Sequence, residues 1–183
     1  MTLAASLNRS GEPDAFALHV LNDDFQTLGL GYTLDKAWPI LKQAYTSSTR
    51  AKLVLGDVET FAWGSQTMTL TLSASNALKA AFNIHNRVEL IGTFGTPHRA
   101  FVVVVKRVPL YGGIFLERGS QMALRYPVIY VDEDHDGKVV LTIRPIHTVG
   151  DALIKLSESD PLWKTIKQEQ IRDILGKAGK LIP

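Results

Sequence analysis

The chain has 183 residues, 45% of them hydrophobic and 21% charged, with a formal net charge of +2. These values suit a single globular domain that buries its core without help from a metal or disulfide, and so small a charge argues against nucleic acid as a partner. The lack of cysteine excludes disulfides, thiolate nucleophiles and cysteine-ligated metals, and no apolar run reaches the ~18 residues of a transmembrane segment.

Residues 1–14 read as a flexible leader without the basic region and apolar core of a signal peptide. A soluble protein is expected, with its compartment left open. A single domain should then occupy 15–183, with a helical extension from about 149. Phe16–Leu21 reads as a short strand. Gly29 and Gly31 read as turn residues, because a phosphate loop would need a third glycine within a strand–helix unit. Ala37, Trp38, Leu41, Ala44 and Tyr45 recur at helical spacing and predict a helix over 35–47, with Pro39 near its start.

Leu53–Phe61 and Gln66–Leu72 read as strands. In the second, Met68, Leu70 and Leu72 alternate with Thr67, Thr69 and Thr71, the pattern of one dry face and one wet face. Ser75 is expected to cap a helix running to about Ile84, and Val88–Phe94 to return as a strand.

Four strands should follow: Phe101–Arg107, Leu110–Glu117, Ala123–Val131 and Lys138–Arg144. The first is apolar at both parities, which predicts cover on both faces. Gly112-Gly113 inside the second signals a bulge or a close backbone approach. The links between these strands are too short for helical crossovers, which predicts antiparallel hairpins throughout. A helix is expected over Val149–Leu156. Another should run from Asp160 as N-cap and Pro161 as first helical residue to a stop at Gly176. The fold class is therefore α+β: a largely antiparallel sheet of six to eight strands, helices 35–47 and 75–84 on one face, and two C-terminal helices.

The segment with the most specific chemistry is Asp132 to Gly137. Asp132, Asp134, Asp136 and Gly137 follow D-x-D-x-D-G, the opening half of a calcium loop, in which alternate carboxylates converge on a hard cation and glycine permits the turn. Glu133 and the Lys138 carbonyl are the further oxygens on offer. A complete EF-hand would carry glutamate at the twelfth position, where this chain has Ile143, and would be flanked by helices. The ordinary alternative is a soluble hairpin tip.

None of the five histidines stands in a close metal-binding pair. His98, Ser120 and Asp132 make a formal Ser–His–Asp trio without a nucleophile elbow. Lys106-Arg107, Arg118 and Arg125, in or beside the central strands, are candidates for an anionic ligand if they cluster at one end of the sheet. Tyr111-Gly112-Gly113 offers an aromatic next to bare backbone, a docking position for another chain. The leading expectation is a non-catalytic domain that recognises another protein, through Tyr111, Gly112, Gly113, Arg118 and Arg125. A small hydrolase assembled from distant segments and a calcium-stabilised extracellular module are the alternatives.

Overall fold

The computed structural model describes residues 15–149 and 160–183. The leader expected over 1–14, and all but Val149 of the helix expected over Val149–Leu156, lie outside them. One nine-stranded sheet carries the molecule: β1 (Phe16–Asp24), β2 (Thr49–Val54), β3 (Val58–Ala62), β4 (Thr67–Leu70), β5 (Arg99–Val105), β6 (Val108–Phe115), β7 (Val128–Glu133), β8 (Val139–Arg144) and β9 (Leu181–Ile182). The helices among the described residues are α1 (Phe25–Leu28), α2 (Leu34–Ser48), α3 (Leu72–Ala81), α4 (Arg87–Gly95) and α5 (Glu169–Lys177). The strand order is β2-β1-β5-β6-β7-β8-β4-β3-β9.

That order forces the sheet to curl. β2 and β3 stand first and eighth, which in a flat sheet would separate them by about 34 Å. Only the 3-10 turn Leu55–Asp57 joins them, and from Val54 to Val58 the chain reaches at most about 14 Å. Asp57 fastens this corner: its carboxylate accepts from the Val54 N–H at 2.8 Å and its carbonyl oxygen from the Thr71 N–H at 2.8 Å. The expected single strand Leu53–Phe61 is therefore two strands, which belong to opposite ends of the strand order.

Two cores follow from the curl. The inner one collects side chains from all of β1–β8 and is closed by Ala74 and Leu78 of α3, Leu90 and Phe94 of α4, and Ile171 and Leu175 of α5. An aromatic chain runs through it, Phe82–Phe94–Phe115–Phe101, with ring centroids 4.9, 4.9 and 5.7 Å apart. The outer core lies under α2, where Ala37 and Leu41 meet Val102, Val104 and Ile114. β5 shows the division directly: Phe101, Val103 and Val105 face inward, while Val102 and Val104 face α2. The double-sided apolar pattern of that strand has this cause. β4 behaves as its alternation requires, with Met68 and Leu70 fully buried and Thr67 and Thr69 half-buried on the opposite face.

Several expectations are corrected. Among the described residues the sheet has nine strands, and the two main helices, α2 and α3, pack on its opposite faces. β6 and β7 run parallel, with Ile114 opposite Val128. The twelve residues 116–127 between them, fully extended, reach about 40 Å, enough to return past an eight-residue strand without a helix. Over this return path Leu124 bridges His147 and Arg125 bridges Thr33.

Val88–Phe94 is helical, not a strand. Asn86 accepts from the Glu89 N–H at 2.9 Å, and the Glu89 carboxylate reaches back to the His85 N–H at 2.7 Å. This reciprocal cap satisfies amides that a helix start leaves open, and it leaves Val88 80% exposed while Leu90 and Phe94 are buried. α3 starts earlier than expected because Thr71, not Ser75, is its cap, accepting from the Ala74 N–H at 3.1 Å. Ser75 lies within the helix, and its buried hydroxyl accepts from the Val139 N–H at 2.8 Å. The expected last helix is divided into a 3-10 turn, Pro161–Thr165, and α5. Asp160 caps the former, accepting from the Leu162 N–H at 2.9 Å.

Candidate functional site

The acidic hairpin between β7 and β8 is built by local hydrogen bonding. Asp134 accepts the N–H groups of Asp136 and Lys138, each at 2.9 Å. Gly137 takes the positive φ of 78° that closes the turn. Its acidic neighbours then go separate ways. Asp132 forms a two-pronged pair with Arg87 at 2.6 and 3.0 Å. Glu133 meets the Lys79 ammonium at 2.5 Å. That ammonium also donates to the Gly137 carbonyl at 2.8 Å. Lys138 turns its own ammonium to Glu59 at 2.8–2.9 Å.

The Arg87 guanidinium beside Asp132 holds its carboxyl below the usual range, and the Lys138 N–H does the same for Asp134. Asp132 at the end of β7 and Asp134 and Asp136 in the turn are near neighbours in the chain, yet among the described residues no group of three or more His, Asp or Glu side chains could hold a metal ion. The cation drawn into this hairpin is a lysine of the protein itself.

Tyr111, Gly112 and Gly113 lie inside the sheet. Tyr111 is 3% exposed, and burial pushes its phenol well above the usual value. A Cβ on Gly113 would lie 1.7 Å from the Pro127 carbonyl oxygen. Glycine there lets the start of β7 approach β6, so this bare backbone is taken by the protein's own chain. The Ser–His–Asp trio is not assembled through hydrogen bonds: Asp132 is held by Arg87, and Ser120 meets His147, through its carbonyl oxygen.

Arg125 is exposed, and its N–H donates to the Tyr32 carbonyl at 3.0 Å. Arg118 lies in different surroundings. Its guanidinium covers the Tyr130 ring at 4.8 Å from the centroid. Tyr130 is fixed in turn by a 2.6 Å bond to His147 Nδ1, while His147 Nε2 meets the Ser120 carbonyl at 3.0 Å. A carbonyl only accepts, so Nε2 carries a proton; in the neutral ring Nδ1 is then the acceptor for the Tyr130 hydroxyl. Burial raises the Tyr130 phenol, against the opposing charges of Arg118 and Arg144.

From Arg118 a band of cations seated on aromatic rings continues around the end of β8. Arg144 lies 5.9 Å from the Trp163 centroid and donates to the Ser65 carbonyl at 2.8 Å. Desolvation and the nearby Arg118 charge lower its pKa. Lys167 covers Trp163 at 4.8 Å, and Arg172 lies 5.8 Å from Trp63. Each stack holds a long cationic stem in place; Arg144 commits one of its donors to the Ser65 carbonyl, and Arg172 lies 3.9 Å from the Glu169 carboxylate. Sequence reasoning singled out Arg118 but not Arg144, Trp163, Lys167 or Arg172. Stacked partners up to 109 residues apart, as Trp63 and Arg172 are, leave no local motif. Compared with models of protein families, with curated proteins and with solved structures, the chain finds no match.

Proposed function

We propose that the protein is a binding domain that recognises an acidic segment of another protein through the band of Arg118, Arg144, Lys167 and Arg172. One observation carries this reading: cations from the 116–127 crossover, β8, the 165–169 link and α5 are all seated on the rings of Tyr130, Trp163 and Trp63. Arginine, tryptophan and tyrosine dominate the energetics of protein interfaces. Cations already held by stacking lose less freedom when they meet a carboxylate. Arg118 and Arg144 are close enough to act on each other's charge, and an anionic partner relieves that repulsion.

A titration with a glutamate-rich peptide, followed by tryptophan fluorescence and by backbone amide shifts, tests the proposal. Saturable binding that weakens with added salt and falls about tenfold in Arg118→Gln/Lys167→Gln supports it, a loss of roughly 1.4 kcal/mol. Unchanged spectra throughout the titration, or shifts confined to the opposite end of the sheet, would remove the reading.

A further inference from the structure

We propose that the outer face of α3 carries a second, separate site, which binds a neutral ligand rich in hydroxyl groups, a sugar. A cavity of about 540 Å³ opens there, lined by Asn76, Lys79, Ala80, Asn83, Ile84 and His85. Small-molecule sites usually measure about 300–1,000 Å³. Asn76 and Ala80 lie one turn apart on α3, and Asn83 follows at the turn that ends it. Ile84 is 6% exposed and belongs to the inner core, which makes it the apolar floor. None of these residues belongs to the cationic band, so the two readings stand or fall separately.

The charges around this cavity are already committed. The Lys79 ammonium pairs with Glu133 and donates to the Gly137 carbonyl. The Glu89 carboxylate accepts from the His85 N–H and from Asn86 Nδ2. The neutral groups are not committed. Among the described residues, the carboxamides of Asn76 and Asn83 and the imidazole of His85 take part in no hydrogen bond, and all three residues are exposed. Each carboxamide offers two N–H donors and a carbonyl acceptor, and a neutral imidazole offers one of each. An ion would find no free counter-charge here. An apolar molecule would strip water from three polar side chains and give no hydrogen bond back. A sugar hydroxyl both donates and accepts, so two adjacent hydroxyls pair with the oxygen and the nitrogen of one carboxamide.

The two asparagines also stand where the fold itself favours other residues. Asn76 is an exposed position in a helix that holds Ala74, Ala77, Ala80 and Ala81, and alanine is the better helix former. Asn83 is the left-handed residue after α3, with a φ of 56°. There the Ile84 N–H donates to the Lys79 carbonyl at 2.9 Å and the Asn83 N–H to that of Ala80 at 3.2 Å. Glycine is the usual residue in this cap. Both carboxamides therefore weaken the helix, and neither pairs within the protein. Departures from local preference concentrate at functional sites, and these two line one cavity.

Titration of the full chain with glucose, galactose and N-acetylglucosamine, followed by backbone and side-chain amide resonances, tests the proposal. At least one of the three should give saturable shifts at Asn76, Asn83 and His85 in the millimolar range, insensitive to added salt. Asn76→Ala/Asn83→Gly should bind that sugar about tenfold more weakly, through the lost hydrogen bonds. The same variant should melt no lower than the wild type, because alanine and glycine are the residues these two positions favour. The loss of binding is then not a loss of folding. No saturable shift from any of the three sugars, or equal affinity in the double variant, overturns the site. Movement of the same resonances by inorganic phosphate, at lower concentration than by any sugar, overturns the neutral ligand.

Discussion

Lys79 donates from its ammonium to the carbonyl oxygen of Gly137, 2.8 Å away and 58 residues along the chain. The same ammonium pairs with Glu133, and both side chains are largely buried, 16% and 19% exposed. α3 and the acidic hairpin are thus joined by one cation. Lys79→Met should cost about 2–3 kcal/mol in urea unfolding, because Glu133 is left without its counter-charge. With Lys79 in place, millimolar calcium should leave the wild-type melting temperature unchanged. A rise that Asp134→Ala abolishes would mean that the hairpin does take the ion.

Acid should act through Asp132. Arg87 holds its carboxyl below the value of about 4 expected in the unfolded chain. A depressed folded pKa means that the stabilisation is complete above that unfolded value and is lost as pH falls through the folded one. Asp132→Asn should lower stability at neutral pH and flatten the decline below about pH 4. Melting temperatures from pH 7 down to pH 2 check this, and an acid limb as steep as in the wild type would dismiss the role of the pair.

Gly113 tolerates no side chain. With the Pro127 carbonyl 1.7 Å from the position of a Cβ, Gly113→Ala must push β6 and β7 apart, at a cost of at least ~3 kcal/mol. Gly56 has nothing within 4 Å of the equivalent position, so Gly56→Ala serves as the tolerated control. Denaturant unfolding of the two variants compares them directly.

Tyr130→Phe removes the hydrogen-bond partner of His147 Nδ1, in a residue that is only 6% exposed. The expected cost is about 1–3 kcal/mol. Because His147 also bridges Leu124 through paired backbone bonds of 2.8 and 3.0 Å, exchange of those two amides should quicken relative to β5. Equal protection in variant and wild type would separate the Tyr130–His147 bond from the anchoring of the crossover.

Much of the local structure is legible in the sequence. The stripe of Ala37 and Leu41, the alternation at Met68 and Leu70, the two-sided burial of Phe101 to Val105 and the Asp160 cap all follow from side-chain period and end chemistry within a few residues. The Asn86-x-x-Glu89 cap was equally present, but the strand-forming character of Val88 and Ile91 masked it. Tertiary structure alone decided that β2 and β3 part at Asp57, that β7 returns parallel to β6, that Lys79 enters the acidic loop, and that Lys167 and Arg172 lie on tryptophans. A repeat of period two or four is a property of neighbours in the chain. Which strand pairs with which, and which cation meets which ring, depends on how one curled sheet closes over its core, and groups thirty to a hundred residues apart carry no mark of their partner until that core has formed.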